Sequence, residues 1–191
     1  MVKFSIIISV DANLGIGSQS DLPWAIRGEE RRFKHITKYG VPFASEEYKK
    51  HDKYVRNKKM RTVILGANTY ELYGARPFFG RNTIVITSNP SKYSEVITAN
   101  CLENALEQAE EIGSYENFVV GGSTLFRLEA FSEYMRPNVE KIFVSHISGD
   151  FHCDSVIHRD WLEGFRADPE TFNRTATEDG IMVTQQTWVK E

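Results

Sequence analysis

The sequence predicts an α/β fold, a three-layer sandwich whose central, mostly parallel sheet carries helices on both faces and ends in an antiparallel C-terminal edge strand. Three observations carry this. Short β-branched apolar runs bounded by turn residues recur along the chain, segments of helical periodicity fall between them, and the tail from Ile181 to Val189 alternates in polarity. Such runs read as strands buried on both faces, and their alternation with helices points to parallel pairing.

Residues 3–10 (Lys-Phe-Ser-Ile-Ile-Ile-Ser-Val) form the first strand. It ends at a glycine-rich loop, where Gly15 and Gly17 let the backbone pass close to a flat ligand and take positive φ where needed. Pro23 fixes the chain before a helix. From Glu29 onward, Phe33, Ile36 and Thr37 recur on one helical face. Arg61–Gly66 and Asn82–Ser88 read as buried strands, each delivering a small or hydroxyl residue at its C-terminal end, which is where open parallel sheets bind ligands. Leu102–Ile112 has helical periodicity. Asn117–Val120 is a further buried strand and runs into Gly121-Gly122-Ser123-Thr124, a helix start suited to phosphate. Lys141–Ile147 is one more strand, and Ile181–Val189 is expected as the last, antiparallel at the edge.

At 191 residues, with no repeats, low-complexity stretches or Pro/Gly/Ser-rich linker, the chain is expected to form a single domain over 1–191. A charged insertion at about 38–60 interrupts it, carrying Lys49, Lys50, Lys53, Arg56, Lys58 and Lys59 among Glu46, Glu47 and Asp52. Such a run usually forms a solvated face. The net charge of -3 argues against a nucleic-acid partner. Cys101 and Cys153 read as free thiols of a reducing compartment, and neither they nor the five histidines have metal-ligand spacing, so no metal is expected. The sequence opens directly on a strand and contains no apolar run of transmembrane length, which predicts a cytoplasmic protein without membrane contact. Asn173-Arg174-Thr175 is then an accidental match to a glycosylation acceptor.

The chemistry is concentrated early. A carboxylate at Glu29, one turn before the ring of Phe33, can accept two parallel hydrogen bonds from the amidine-like edge of a planar heterocycle whose flat face packs on the ring. The blander reading is an amphipathic helix with an incidental acid. The first loop also fails the dinucleotide fingerprint, because Ser20 stands where the third glycine belongs.

From Gly17 through Leu22-Pro23-Trp24 to Glu29, Phe33 and Thr37, the chain resembles dihydrofolate reductase, whose signature is Gly, four residues, an apolar residue, Pro-Trp, an acid, an aromatic and Ser or Thr. The resemblance continues at Val63–Gly66 with Thr69, Arg76-Pro77, Gly80-Arg81, Val119–Ser123, and Ser145-His146-Ile147 with Asp154. It is absent from about Lys38 to Met60.

The resemblance implies reduction of 7,8-dihydrofolate by hydride transfer from NADPH, in one-carbon and thymidylate metabolism, by an antifolate target acting as a monomer. It makes Glu29 the acid that grips the pterin, with Leu22 and Trp24 beside the reacting centre and Ser145 as the hydroxyl holding Glu29. The carbonyls of Ile7 and Val120 would bind the pterin amino group, and Phe33, Tyr73 and Phe78 would pack on the rings. Arg81 would bind the glutamate carboxylate. Ser9, Ile16 and Gly17 would border the nicotinamide, Gly66, Ala67 and Thr69 would lie along the phosphates with Gly121, Gly122, Ser123 and Thr124, and Thr87 and Ser88 would sit near the adenosine. Burial of Glu29 in an apolar cleft would favour a protonated or proton-sharing acid.

Several positions depart from the family pattern. Ala67 stands where an Arg or Lys usually pairs with the 2'-phosphate of NADPH, Asn89 where the adenosine loop offers a cation, Thr124 where some members have arginine, and Phe126 where tyrosine is common. Lys92 and Arg127 are the candidate replacements. A charge-assisted bond to phosphate is worth about 1.5–3 kcal/mol, so use of NADH alongside NADPH is expected. The alternatives are a related pterin or pyrimidine reductase, and a non-catalytic structural or binding protein on the same fold.

Overall fold

The computed structural model describes residues 2–19, 21–26, 28–40, 60–126 and 135–191. Most of the charged insertion (41–59), Ser20 and Arg127 lie outside the described residues. In chain order the elements are β1 (Phe4–Val10), β2 (Gly15–Gly17), α1 (Glu29–Tyr39), β3 (Thr62–Gly66), α2 (Ala67–Leu72), β4 (Asn82–Ile86), β5 (Ile97–Ala99), α3 (Leu102–Glu111), β6 (Asn117–Val119), β7 (Val139–Ile147), β8 (Ser155–Val156), β9 (Phe165–Ala176) and β10 (Met182–Lys190). The chain divides into two compact units, one built on Lys3–Ile26 and Val120–Glu191, the other on Arg27–Val119.

In the first unit β1 runs parallel to β7, with Ile6 opposite Ile142, Ile7 opposite Phe143 and Ser9 opposite Ser145. β10 pairs antiparallel with β7, and β9 antiparallel with β10. The run of β-branched residues in β1 is buried as its composition requires, and Phe4, Ile6, Ile142, Phe143 and Ile147 form a core with almost no solvent contact. Burying each such side chain contributes about 1.5–3 kcal/mol. The antiparallel edge is therefore a pair of strands. β9 escapes a reading by pattern because Arg166, Asp168, Pro169, Glu170 and Arg174 give it neither an apolar run nor a clean alternation. β2 and β8 form a separate two-stranded ladder, Gly15 opposite Val156 and Gly17 opposite Ser155.

The second unit carries parallel strands in the order β5-β4-β3-β6. Ile64 at its centre lies between Ile84 and Val119, all three buried. α3 buries Leu102, Ala105, Leu106 and Ala109, the face its spacing predicts, and Cys101 caps its start by accepting the Asn104 N–H. β5 is three residues long, too short to show periodicity.

The C-terminus of α1 is closed by charge. Gly40 takes the left-handed conformation (φ 79°) and its N–H bonds to the Ile36 carbonyl. Arg61 at the head of β3 donates from Nη1 to the Lys38 carbonyl (3.0 Å) and from Nε to Glu116 Oε2 (2.8 Å). A cation at the last carbonyls of a helix opposes the negative end of its dipole. A Cβ on Gly40 would stand 2.7 Å from both the Arg61 guanidinium and the Glu116 carboxylate. Arg61→Ala is expected to lower stability by about 1–3 kcal/mol, read as a lowered urea midpoint. Gly40→Ala acts on the same knot, so the double variant should lose less than the sum of the two single losses.

Candidate active site

α1 begins at Glu29, just after Gly28 in a left-handed conformation (φ 106°), so the carboxylate lies in the first turn, where the positive end of the helix dipole favours it. Glu29 is half-buried rather than enclosed in an apolar cleft. One turn on, Phe33 is buried and stacks on Tyr73 (centroids 5.1 Å, 17° between planes). Phe78 meets both rings edge-on, at 5.4 Å from Phe33 and 5.5 Å from Tyr73. Burial pushes the Tyr73 phenol up to about 12, with the charges of Glu29 and Glu30 adding to it, so this hydroxyl stays neutral.

Two turns on from Glu29, fully buried Thr37 donates its hydroxyl proton to the Phe33 carbonyl (2.8 Å) and accepts from Arg81 Nη1 (2.6 Å). Arg81 is 9 % exposed and its guanidinium lies over Phe78 (4.9 Å) and Phe33 (5.8 Å). A solvated surface cation is thereby ruled out, and burial lowers its pKa with no carboxylate opposing the shift. At 1.5 Å rise per residue, Glu29 and Thr37 lie about 12 Å apart along the helix. The face of α1 thus runs from a carboxylate, past three aromatic rings, to a buried guanidinium.

In the first unit Ile7 and Trp24 are buried, Ser9 and Val120 half-buried, Leu22 exposed, and Ser145 fully buried opposite Ser9. Trp24 packs edge-on against Phe151 at 5.4 Å. The glycines of the first loop are used differently from expectation. Neither Gly15 nor Gly17 has positive φ; Leu14 (63°) and Gln19 (50°) do. Gly15 is needed because a Cβ there would collide with the Cβ and Sγ of Cys153 and stand 2.9 Å from Asp11 Oδ1.

Asp11 is assigned no role by the sequence alone. It is 2 % exposed and accepts from the N–H groups of Asn13 (2.8 Å), Gly15 (2.8 Å) and Phe151 (3.1 Å). Burial alone would raise its pKa, but these three donors and the Cys153 thiol hold it below the usual aspartate value. The available signal was an aspartate directly after a buried strand with glycine four residues on. Thr37 was visible as a spacing match, but its hold on Arg81 was not.

Gly66 precedes α2, Ala67 and Thr69 lie within it, and Thr87 and Ser88 follow β4, at the C-terminal ends of parallel strands. Thr87 Oγ1 accepts from the Asn89 N–H (3.0 Å). Lys92, a candidate for the missing cation at 67, is exposed and gives its ammonium to Glu71 Oε1 (2.5 Å), which also accepts from the Tyr93 hydroxyl (2.6 Å). Gly121 and Gly122 are joined by a cis peptide and lead into a 3-10 turn, Ser123–Phe126, beyond which residues 127–134 lie outside the described residues. Ser123 and Thr124 are exposed there.

A family model described as dihydrofolate reductase matches residues 49–190. Dihydrofolate reductase of Aedes albopictus is 32% identical over 166 residues, covering 81% of this chain and 78% of that protein. The Drosophila melanogaster enzyme is 28% identical over 189 residues, covering 95% and 88%. Among solved structures, dihydrofolate reductase from Enterococcus faecalis complexed with NADP(H) and RAB-propyl superposes with a TM-score of 0.72 at 21% identity, covering 99% of this chain and 96% of that one.

Two outcomes are expected from the buried charges. Thr37→Val removes the acceptor of Arg81 Nη1 and should cost about 1–3 kcal/mol in denaturant unfolding. The Asp11 carboxylate, held below its unfolded value of 3.8, stabilises the fold fully above that value and loses this contribution as pH falls through the lower folded value. Asp11→Asn should therefore lower stability at neutral pH while making acid unfolding less steep, as followed by circular dichroism against pH.

Proposed function

Because this chain belongs to the dihydrofolate reductase family, we propose that it reduces 7,8-dihydrofolate to 5,6,7,8-tetrahydrofolate with NADPH, and that the residues described above carry the reaction. The observation that supports this assignment of residues is the face of α1. Its half-buried acid, three rings and buried guanidinium suit a long flat ligand with an amidine-like edge at one end and a carboxylate at the other.

Glu29 accepts two parallel hydrogen bonds from the pterin edge and holds the ring while the neighbouring nitrogen gains its proton. Phe33, Tyr73 and Phe78 pack on the pterin and aminobenzoyl rings, and Arg81, steadied by Thr37, pairs with the glutamate carboxylate. Ile7 and Val120 offer carbonyls to the pterin amino group, Ser145 supports Glu29, and Leu22 and Trp24 exclude water. When bound, the reduced nicotinamide supplies a hydride to carbon 6, so one hydride and one proton are added in all. Ser9, Ile16 and Gly17 border it. Gly66, Thr69, Thr87 and Ser88, small or hydroxylated at the ends of parallel strands, fit its phosphates and adenosine, together with Gly121, Gly122, Ser123 and Thr124. Alignment and exclusion of water are the protein's share of the chemistry.

The chain acts as a monomer in the cytoplasm in this reading. Cys101 and Cys153 are both free thiols, and among the described residues no helix is long and apolar enough to cross a membrane.

Steady-state loss of reduced-nicotinamide absorbance with dihydrofolate tests the proposal directly. Glu29→Ala should lower kcat by about 100-fold or more, and full turnover by this variant would defeat the role given to the acid. Arg81→Leu should raise the KM for dihydrofolate more than it lowers kcat. With Ala67 at the 2'-phosphate position and Lys92 engaged by Glu71, NADH should support turnover within roughly tenfold of NADPH. A preference of several orders of magnitude would show that another cation reads the phosphate.

A further inference from the structure

We propose that Asp11 is a positioning residue for hydride transfer, fixing the loop from Ala12 to Trp24 in the geometry that receives the nicotinamide. This rests on the reductase reading above.

The only ladder partner of β2 among the described strands is β8, and the pair stands apart from the main strand order, so no sheet hydrogen bond ties Ile16 and Gly17 to β1. Asp11 stands directly beyond β1 and ties the loop with its main chain, Asp11 N–H to the Gly15 carbonyl (2.9 Å) and Leu14 N–H to the Asp11 carbonyl (3.1 Å), and with its side chain. Oδ1 gathers the N–H groups of Asn13 and Gly15 from within the loop, and Oδ2 takes the N–H of Phe151, 140 residues further along the chain. The Cys153 thiol donates to the same carboxylate. The seam continues outward through Ala12 N–H to the Gly149 carbonyl (3.0 Å), Ile157 N–H to the Leu14 carbonyl (3.0 Å) and Gln19 N–H to Asp154 Oδ2 (2.7 Å).

The fit leaves little slack. Gly15 is packed so closely on Cys153 and Asp11 that a methyl group has no room. Phe151, whose N–H Asp11 holds, is the ring on which Trp24 packs. One carboxylate thus fixes both ends of the loop, the Gly15–Gly17 segment directly and Trp24 through Phe151. Asparagine has the same shape but presents an N–H₂ in place of one oxygen, so the Asn13 and Gly15 bonds are lost in one amide orientation and the Phe151 bond in the other.

The test compares wild type with Asp11→Asn, using dihydrofolate and NADPH carrying hydrogen or deuterium at the transferred position. The variant should lose about 10- to 100-fold in kcat, with a larger deuterium isotope effect on kcat and weaker NADPH binding by tryptophan fluorescence. The KM for dihydrofolate should stay within about twofold, because Glu29, Phe33 and Arg81 are untouched. Wild-type kcat and isotope effect per folded molecule, with only a lowered unfolding midpoint, would make Asp11 purely structural and overturn the proposal. If Asp11→Asn does not fold, Cys153→Ala and Cys153→Ser decide. The alanine variant should show the same changes in weaker form and the serine variant, which keeps a donor, should recover; identical wild-type behaviour of both would overturn it. Absence of turnover in the wild type is seen before any substitution, and it would reject the reductase reading and this inference together.

Discussion

A guanidinium buried with a threonine hydroxyl as partner, and with no carboxylate beside it among the described residues, is the constraint around which the α1 site is arranged. Taking a charge out of water costs several kcal/mol unless it is paired. The chain limits that cost for Arg81 by laying it on the faces of Phe33 and Phe78, giving Nη1 to Thr37 (2.6 Å) and Nε to the Phe79 carbonyl (3.4 Å). Each contact then dictates others. Thr37 must be buried on α1, Phe33 must stand one turn before it, and Glu29 is carried to the first turn of the same face. The N–H donors that remain form a planar fork matched to the two oxygens of a carboxylate.

Asp11 shows the opposite solution to a buried charge. Its oxygens are fully supplied by three main-chain donors and a thiol, so it asks nothing of a ligand and holds a loop instead. The contrast separates two uses of burial. A satisfied charge rigidifies its surroundings before the ligand arrives, whereas a half-satisfied one keeps part of its stabilisation for the complex.

Much of this was legible in the sequence, for physical reasons that differ by element. β1, β3 and β4, and the Ile142-Phe143-Val144 centre of β7, are buried apolar runs that announce themselves as strands, and α1 and α3 show the spacing of one buried face. Glu29 and Phe33 stood out because an acid and a ring one turn apart share a helical face, whereas Arg81 was reached only through the resemblance to the family. β2, β5 and β8 were invisible because two or three residues hold no period, and β9 because its pattern is broken by Asp168-Pro169. Asp11 could not be found by spacing, since two of its four donors come from residues 151 and 153. The contact of Lys92 with Glu71 is hidden from spacing for the same reason, its partner lying on α2.

The interruption in β9 has a consequence for the molecule's behaviour in company. β9 is the outermost strand, and an edge strand twelve residues long would offer a row of free amides to any extended chain it met. Pro169 has no amide to offer, and the register jumps between Gln185 opposite Asn173 and Thr187 opposite Asp168. Within the jump Thr171 takes over with its side chain, accepting the Thr187 N–H (2.8 Å) and donating to the Asp168 carbonyl (2.9 Å). With Arg166, Asp168, Glu170 and Arg174 along it, the edge is bent, charged and one amide short, features that oppose strand addition and sheet-to-sheet aggregation. The same irregularity that hid the strand from its own sequence leaves it a poor template for another.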